Sequence, residues 1–208
     1  MRVHATKSEA LLALAGQGIV RGTDADAHNI PRSYLRRLTA SGALERMGRG
    51  IYRAARAKGS ASESLAQVAK RLPNATICLI SALQFHELTS ELPHAVWIMI
   101  DRHARKPTDQ QPQLEVVRAS GNALTHGIET HVLDGVTVRL TNPAKTVADC
   151  FRFRNRVGLD VAIASLRSYV ERSTQRRTKE RYGITALIEA ATAARIYPFM
   201  RPYIEALT

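Results

Sequence analysis

The segment Asn29–Arg53, N-I-P-R-S-Y-L-R-R-L-T-A-S-G-A-L-E-R-M-G-R-G-I-Y-R, constrains the fold more than any other part of the chain. Pro31 opens a helix, because its preset φ suits the first turn, where a missing N–H costs nothing. Gly42 closes it, because glycine tolerates the left-handed conformation that ends helices. At about 100° per residue, Leu35 and Leu38 share one face, with Tyr34 at its edge. Arg32, Ser33, Arg36, Arg37 and Ala40 share the other. An apolar underside and an outer face of three arginines among small residues suit a helix held on a core with its outer side in a DNA major groove.

The flanking residues predict the rest of a winged helix-turn-helix. Thr6-Lys7-Ser8-Glu9 has the spacing of a capping box. It opens a helix through Leu11, Leu12 and Leu14, which Gly16 and Gly18 end. Ile19-Val20 enters the core. Thr23 is expected to cap a short helix from Asp24 to His28, with its acids where the helix dipole favours them. After Gly42, Ala43–Met47 and Ile51–Arg53 read as two strands around the turn Gly48-Arg49-Gly50. Arg46, Arg49 and Arg53 on this wing can reach phosphates or the minor groove.

Charge supports an anionic partner. The chain has 208 residues, a net charge of +12 and a pI near 10.4. Residues 1–60 carry 11 basic and 4 acidic side chains, so the density is highest where the helix-turn-helix pattern lies. Arginine far outnumbers lysine, and only arginine can fork onto guanine or phosphate. The competing reading is a solvated basic surface.

Residues 54–62 are small and polar and read as a linker. The expected division is therefore 1–56, a DNA-binding domain, and 57–208, an α/β domain. In the second, a helix follows Glu63. Thr76–Ile80 reads as a strand, and Ser81–Leu88 as a helix capped by Ser81. Ala95–Ile100 and Leu114–Arg118 are strands, with a polar, mobile loop between them. Asp134-Gly135 marks a tight hairpin. Asn142-Pro143 starts a helix through Phe151, and helices over 159–169, 184–194 and 197–207 finish the chain. The fold class expected is α+β: the winged helix-turn-helix, then a small, mostly antiparallel sheet with C-terminal helices.

Several chemistries fit poorly. Asp24-Ala25-Asp26 superficially resembles a two-carboxylate metal motif, but it falls in the helix-turn-helix turn. A restriction-type nuclease needs Asp/Glu-x-Lys on a strand, and Leu114-Glu115-Val116-Val117 and Val136-Thr137-Val138 offer no lysine. His126 and His131 share neither a helix face nor a strand face. Cys78 and Cys150 sit in apolar runs and read as buried free thiols. Aromatics are 5%, too few for a base-stacking platform. No enzyme activity, cofactor or metal is expected. The N-terminus lacks a signal peptide's apolar core and no run can span a membrane, so a cytoplasmic protein is expected.

The pattern I-P-R-S-Y-L-R-R-L-T-A-S-G-A-L-E-R-M-G-R-G-I-Y-R, closing on Arg49-Gly50-Ile51-Tyr52, resembles the start of the AbiEi antitoxins of abortive-infection systems. Later landmarks are similar in the same order: Ile80-Ser81-Ala82-Leu83, the Pro93–Ile100 strand, Asp134–Val138 and Asn142–Asp149. The resemblance runs from residue 5 to about 170. It implies a two-domain antitoxin of a type IV toxin–antitoxin pair. The N-terminal domain would repress its own operon at promoter repeats in double-stranded DNA. The C-terminal domain would oppose a nucleotidyltransferase-like toxin without stable binding. A dimer on DNA is compatible with repeat binding, although no heptad appears. Lys145 and Asp149 are ordinarily spaced as a helical ion pair, and the resemblance makes them candidates for antitoxin function. The dense basic stretch 167–181 (Arg167, Arg172, Arg176, Arg177, Lys179, Arg181) departs from the family's pattern. It adds DNA contacts or is simply solvated. The alternative function is a protein-interaction module that binds a toxin directly, with DNA binding secondary.

Overall fold

The structure is a computed structural model and describes residues 6–55, 62–108, 112–175 and 181–207. Most of the expected linker and residues 176–180 of the basic stretch lie outside that set. The fold is α+β, with two compact units. One comprises residues 1–73 with the hairpin tip 132–138; the other comprises 74–131 and 139–208.

The first unit opens with α1 (Lys7–Gln17). The expected capping box is present: Glu9 N donates to Thr6 Oγ1 at 3.3 Å and Thr6 N to Glu9 Oε2 at 2.7 Å. Strand β1 (Val20–Arg21) leads directly into α2 (Gly22–Ala27). Thr23 is not the cap. The helix starts earlier, and Asp24 Oδ2 reaches back to accept from Arg21 N at 2.7 Å. Then come α3 (Ser33–Ala40), β2 (Leu44–Gly48), β3 (Ile51–Ala54) and α4 (Glu63–Arg71). The three strands form an antiparallel sheet in the order β1-β3-β2, with a bulge at Met47 between the paired Arg46 and Gly48. Leu11, Ala15, Val20, Ala25, Ile30, Leu35, Leu38 and Leu44 make the core beneath it.

The second unit is built from β4 (Thr76–Ile77), α5 (Leu79–Phe85), β5 (Val96–Asp101), β6 (Leu114–Ala119), α6 (Asn122–Thr125), β7 (Ile128–Leu133) and β8 (Val136–Thr141). Among the described residues the C-terminal helices that follow are α7 (Pro143–Arg152), α8 (Arg154–Val157), α9 (Leu159–Thr174), α10 (Ile184–Ala193) and α11 (Tyr197–Glu205). The sheet order is β6-β5-β4-β8-β7. It is mixed: β4 runs antiparallel to β5, while β4–β8 and β5–β6 are parallel. The β7–β8 turn places Asp134 and Gly135 at φ +47° and +70°, the left-handed pair that tight hairpins require.

Ser81 does not start α5. The helix begins at Leu79, and Ser81 is buried within it, its Oγ accepting from Trp97 N at 3.0 Å. The hydroxyl joins helix to strand instead of capping. Helix α7 is buried along almost its whole length, from Pro143 to Phe151. It packs among α5, α9 and α10, so that even the polar residues Lys145, Thr146 and Asp149 on it are enclosed. Cys78 and Cys150 are free and fully buried. Burial pushes both thiols well above their ordinary pKa, which makes them unreactive. Among the described residues, no helix is long and apolar enough to cross a membrane.

Candidate nucleic-acid interface

The second helix of the helix-turn-helix is positioned by its two ends and its apolar face. The turn after α2 runs through Asn29 at φ +55°, a left-handed conformation that asparagine tolerates. Ile30 N donates to Ala25 O at 2.9 Å, and the Ile30 side chain is buried. Pro31 and Arg32 make the leading turn: their carbonyls accept from Tyr34 N at 2.9 Å and Leu35 N at 3.1 Å. At the other end Gly42 adopts φ +73°. Ala43 N donates to Leu38 O at 2.9 Å and Gly42 N to Thr39 O at 3.1 Å, the pair of bonds that defines a Schellman stop. Leu35 and Leu38 are buried, and Tyr34 is half-buried at the edge. Arg32, Ser33, Arg36, Arg37 and Ala40 are exposed, as the spacing predicts.

The arginines on this face differ in what holds them. Arg36 makes no hydrogen bond or ion pair among the described residues and is open to solvent. Arg37 lies over the Tyr34 ring, 4.3 Å from its centroid, and its Nη2 donates to Ser8 Oγ at 2.7 Å. That stack fixes the guanidinium plane and leaves its edge outward. Arg32 precedes the first helical residue and turns toward α2. Its Nε and Nη2 hold both oxygens of Asp26, at 3.0 Å and 2.5 Å to Oδ2. The hydrogen bond from Arg32 holds the Asp26 carboxyl below the usual carboxylate range. Both side chains remain about half exposed, so an incoming phosphate can compete for Arg32.

On the wing, Arg46 and Arg49 are exposed. Arg49 sits in the turn with no protein partner among the described residues, and Arg46 Nε donates only to Gly48 O at 3.2 Å. Arg53 faces elsewhere. Its side chain is 17% exposed, and it bridges Glu45 at 2.7 Å and Glu63 at 2.6 Å. Its hydrogen bond to Glu45 leads in raising the guanidinium's pKa further. Arg53 thus ties the wing to the start of α4. The half of this clamp on Glu45 follows from the hairpin register, which sets Glu45 opposite Arg53. The half on Glu63 lies across residues 56–61 and has no local signal.

Lys145 and Asp149 do not face solvent. Their side chains are 3% and 0% exposed, with Lys145 Nζ 3.0 Å from Asp149 Oδ2 and donating to Ala123 O at 2.7 Å. Burial raises the Asp149 pKa, and the lysine opposes that rise. A pair so enclosed cannot touch a partner molecule unless α7 moves. Of the dense basic stretch, Arg167 is exposed on α9, while Arg172 and Arg181 are engaged with Glu87 and Glu129.

Comparison with known proteins supplies the remaining constraints. The crystal structure of the RV2827C protein from Mycobacterium tuberculosis has a similar fold, with a TM-score of 0.58 over 100% of this chain and 84% of that one. The two sequences are 14% identical, so the likeness is one of fold. No curated protein matches the sequence. Residues 9–55, which span α1, the helix-turn-helix and the wing, match the family described as "Transcriptional regulator, AbiEi antitoxin", and the match supports a regulator's role for this part of the chain.

Proposed function

We propose that the protein is a sequence-specific DNA-binding repressor that serves as the antitoxin of a type IV toxin–antitoxin pair. The observation that carries the reading is α3. Its leucines are sunk in the core, its ends are fixed by Ile30 and the Gly42 stop, and Ser33, Arg36 and Arg37 are exposed, as are Arg46 and Arg49 of the wing. Such a helix reads base edges while the wing and Arg32 hold phosphates. Base recognition belongs to the first unit on this reading. The second opposes a nucleotidyltransferase-like toxin, and paired copies occupy promoter repeats.

Arg36 is the discriminating residue, because no side chain among the described residues competes for it. Gel shifts on the DNA upstream of the protein's own gene, repeated at several salt concentrations, test it. If Arg36 forks onto a base, Arg36→Ala weakens specific binding by roughly 1–3 kcal/mol and leaves random duplex nearly unaffected. If it touches phosphate, the loss is equal on all sequences and the salt slope flattens by about one unit. Unchanged binding removes Arg36 from the interface, and failure of the unaltered protein to bind any duplex overturns the repressor reading. The antitoxin half is tested separately. Co-expression with a nucleotidyltransferase-like protein encoded beside the gene should restore growth.

A further inference from the structure

The second unit carries a cationic loop that the helix-turn-helix does not explain. After β5 the chain turns sharply at Asp101–Ala104. Ala104 N donates to Asp101 O at 3.1 Å, His103 N to Asp101 Oδ1 at 2.8 Å, and Arg102 N to Ala119 O at 2.9 Å. Arg118 on β6 clamps this turn. Its Nη1 donates to the carbonyls of Asp101 at 3.2 Å, Arg102 at 2.7 Å and Ala104 at 2.7 Å. An exposed loop needs no such clamp to satisfy its carbonyls, since water does that. What the clamp adds is a fixed shape. Groups already ordered lose less entropy when they bind.

The side chains that this shape presents are basic. Arg102, Arg105 and Lys106 are exposed. Arg105 and Lys106 have no protein partner among the described residues, and Arg102 Nε reaches only His103 Nε2, at 2.8 Å. Of the loop's two acids, Asp101 has an oxygen engaged by the turn's own backbone, and Asp109 lies outside the described residues. Phe, Tyr and Trp are absent from residues 101–108, and the one ring there, His103, already accepts from Arg102 Nε, so the loop is a poor base-stacking platform. Its chemistry is that of phosphate contact.

We propose that residues 102–106, held by Arg118, form a second and sequence-independent contact for the phosphate backbone of duplex DNA. This rests on the duplex-binding reading given above. The test compares the full-length protein with the variant R102A/R105A/K106A on two probes: duplex from upstream of its own gene and random duplex of equal length. Binding is measured over a series of salt concentrations. Each phosphate contact contributes about 0.9 to the slope of log K against log salt. The triple variant should therefore lose about two to three units of slope, equally on both duplexes, with an unchanged circular dichroism spectrum and melting temperature. An unchanged slope overturns the proposal. So does a loss confined to one duplex, which would mean base readout, or a loss seen on single-stranded RNA of the same length but not on duplex. If the unaltered protein binds neither duplex, the repressor reading fails first and the loop's role falls with it.

Discussion

Arg36, Arg37 and Arg53 show how far a residue's type determines its role. Local spacing separates the two helical arginines from Leu35 and Leu38, and that much was legible because it depends on geometry within two turns. It does not say what each guanidinium touches. Arg37 is held on Tyr34 and Ser8, Arg36 has no partner among the described residues, and Arg53 is enclosed by two carboxylates. The last of these was expected at the DNA backbone, because a basic hairpin looks alike from sequence whether its charges point out or in. The structure makes a different expectation for it. Arg53→Ala leaves Glu63, itself 19% exposed, without its cation and frees the wing from α4. Urea denaturation should show a loss of roughly 2 kcal/mol, the scale of a charge-assisted bond in a partly buried site. The salt slope of DNA binding should not change, which separates bracing from phosphate contact.

At the scale of elements, some helix starts were readable from local spacing and others were not. Thr6 with Glu9 and Asn142 with Pro143 both cap as spacing predicts. Thr23 and Ser81 look equally suitable, yet Asp24 takes the first role from inside α2, and Ser81 is drawn into a bond with Trp97 on β5. A hydroxyl's choice between a helix end and a neighbouring strand is a tertiary matter. The same holds for strand partners. The β7–β8 hairpin is local and announced by Asp134-Gly135, whereas the parallel pairs β4–β8 and β5–β6 join segments whose sequences carry no mark of each other. The Asn142 cap can be tested on its own. Its Oδ1 accepts from Lys145 N at 2.8 Å at the head of the most buried helix in the molecule. Asn142→Ala should lower stability by about 1 kcal/mol in chemical denaturation, and Asn142→Asp should recover most of that loss.

At the scale of the whole molecule, acid should act unevenly on the two units. The second unit buries His86, whose side chain is 1% exposed. Its Nε2 lies 2.7 Å from Thr141 O and its Nδ1 3.3 Å from Arg181 Nη2, so the ring is neutral, donating to the carbonyl and accepting from the arginine. Burial lowers its pKa to about 4. The nearby Glu129 carboxylate is shared with Arg181 and His131, at 2.8 Å from each, and offsets the burial only in part. An unfolded chain takes up this proton near pH 6.5. Between pH 6.5 and 4 the unfolded state therefore binds more protons, and stability falls as the pH falls. The size of the effect between pH 7 and 5 is roughly 2 kcal/mol. Asp149 works in the opposite direction, because its raised folded pKa makes acid protonation favour the folded state. Comparison with His86→Gln, whose amide can still donate to Thr141 O, separates the two. The first unit has no buried histidine among its described residues; His28 is exposed. Thermal unfolding at pH 7 and pH 5 should show the transition of the second unit moving down in the unaltered protein and moving much less in the variant. Equal shifts in the two proteins would assign the acid sensitivity to other groups.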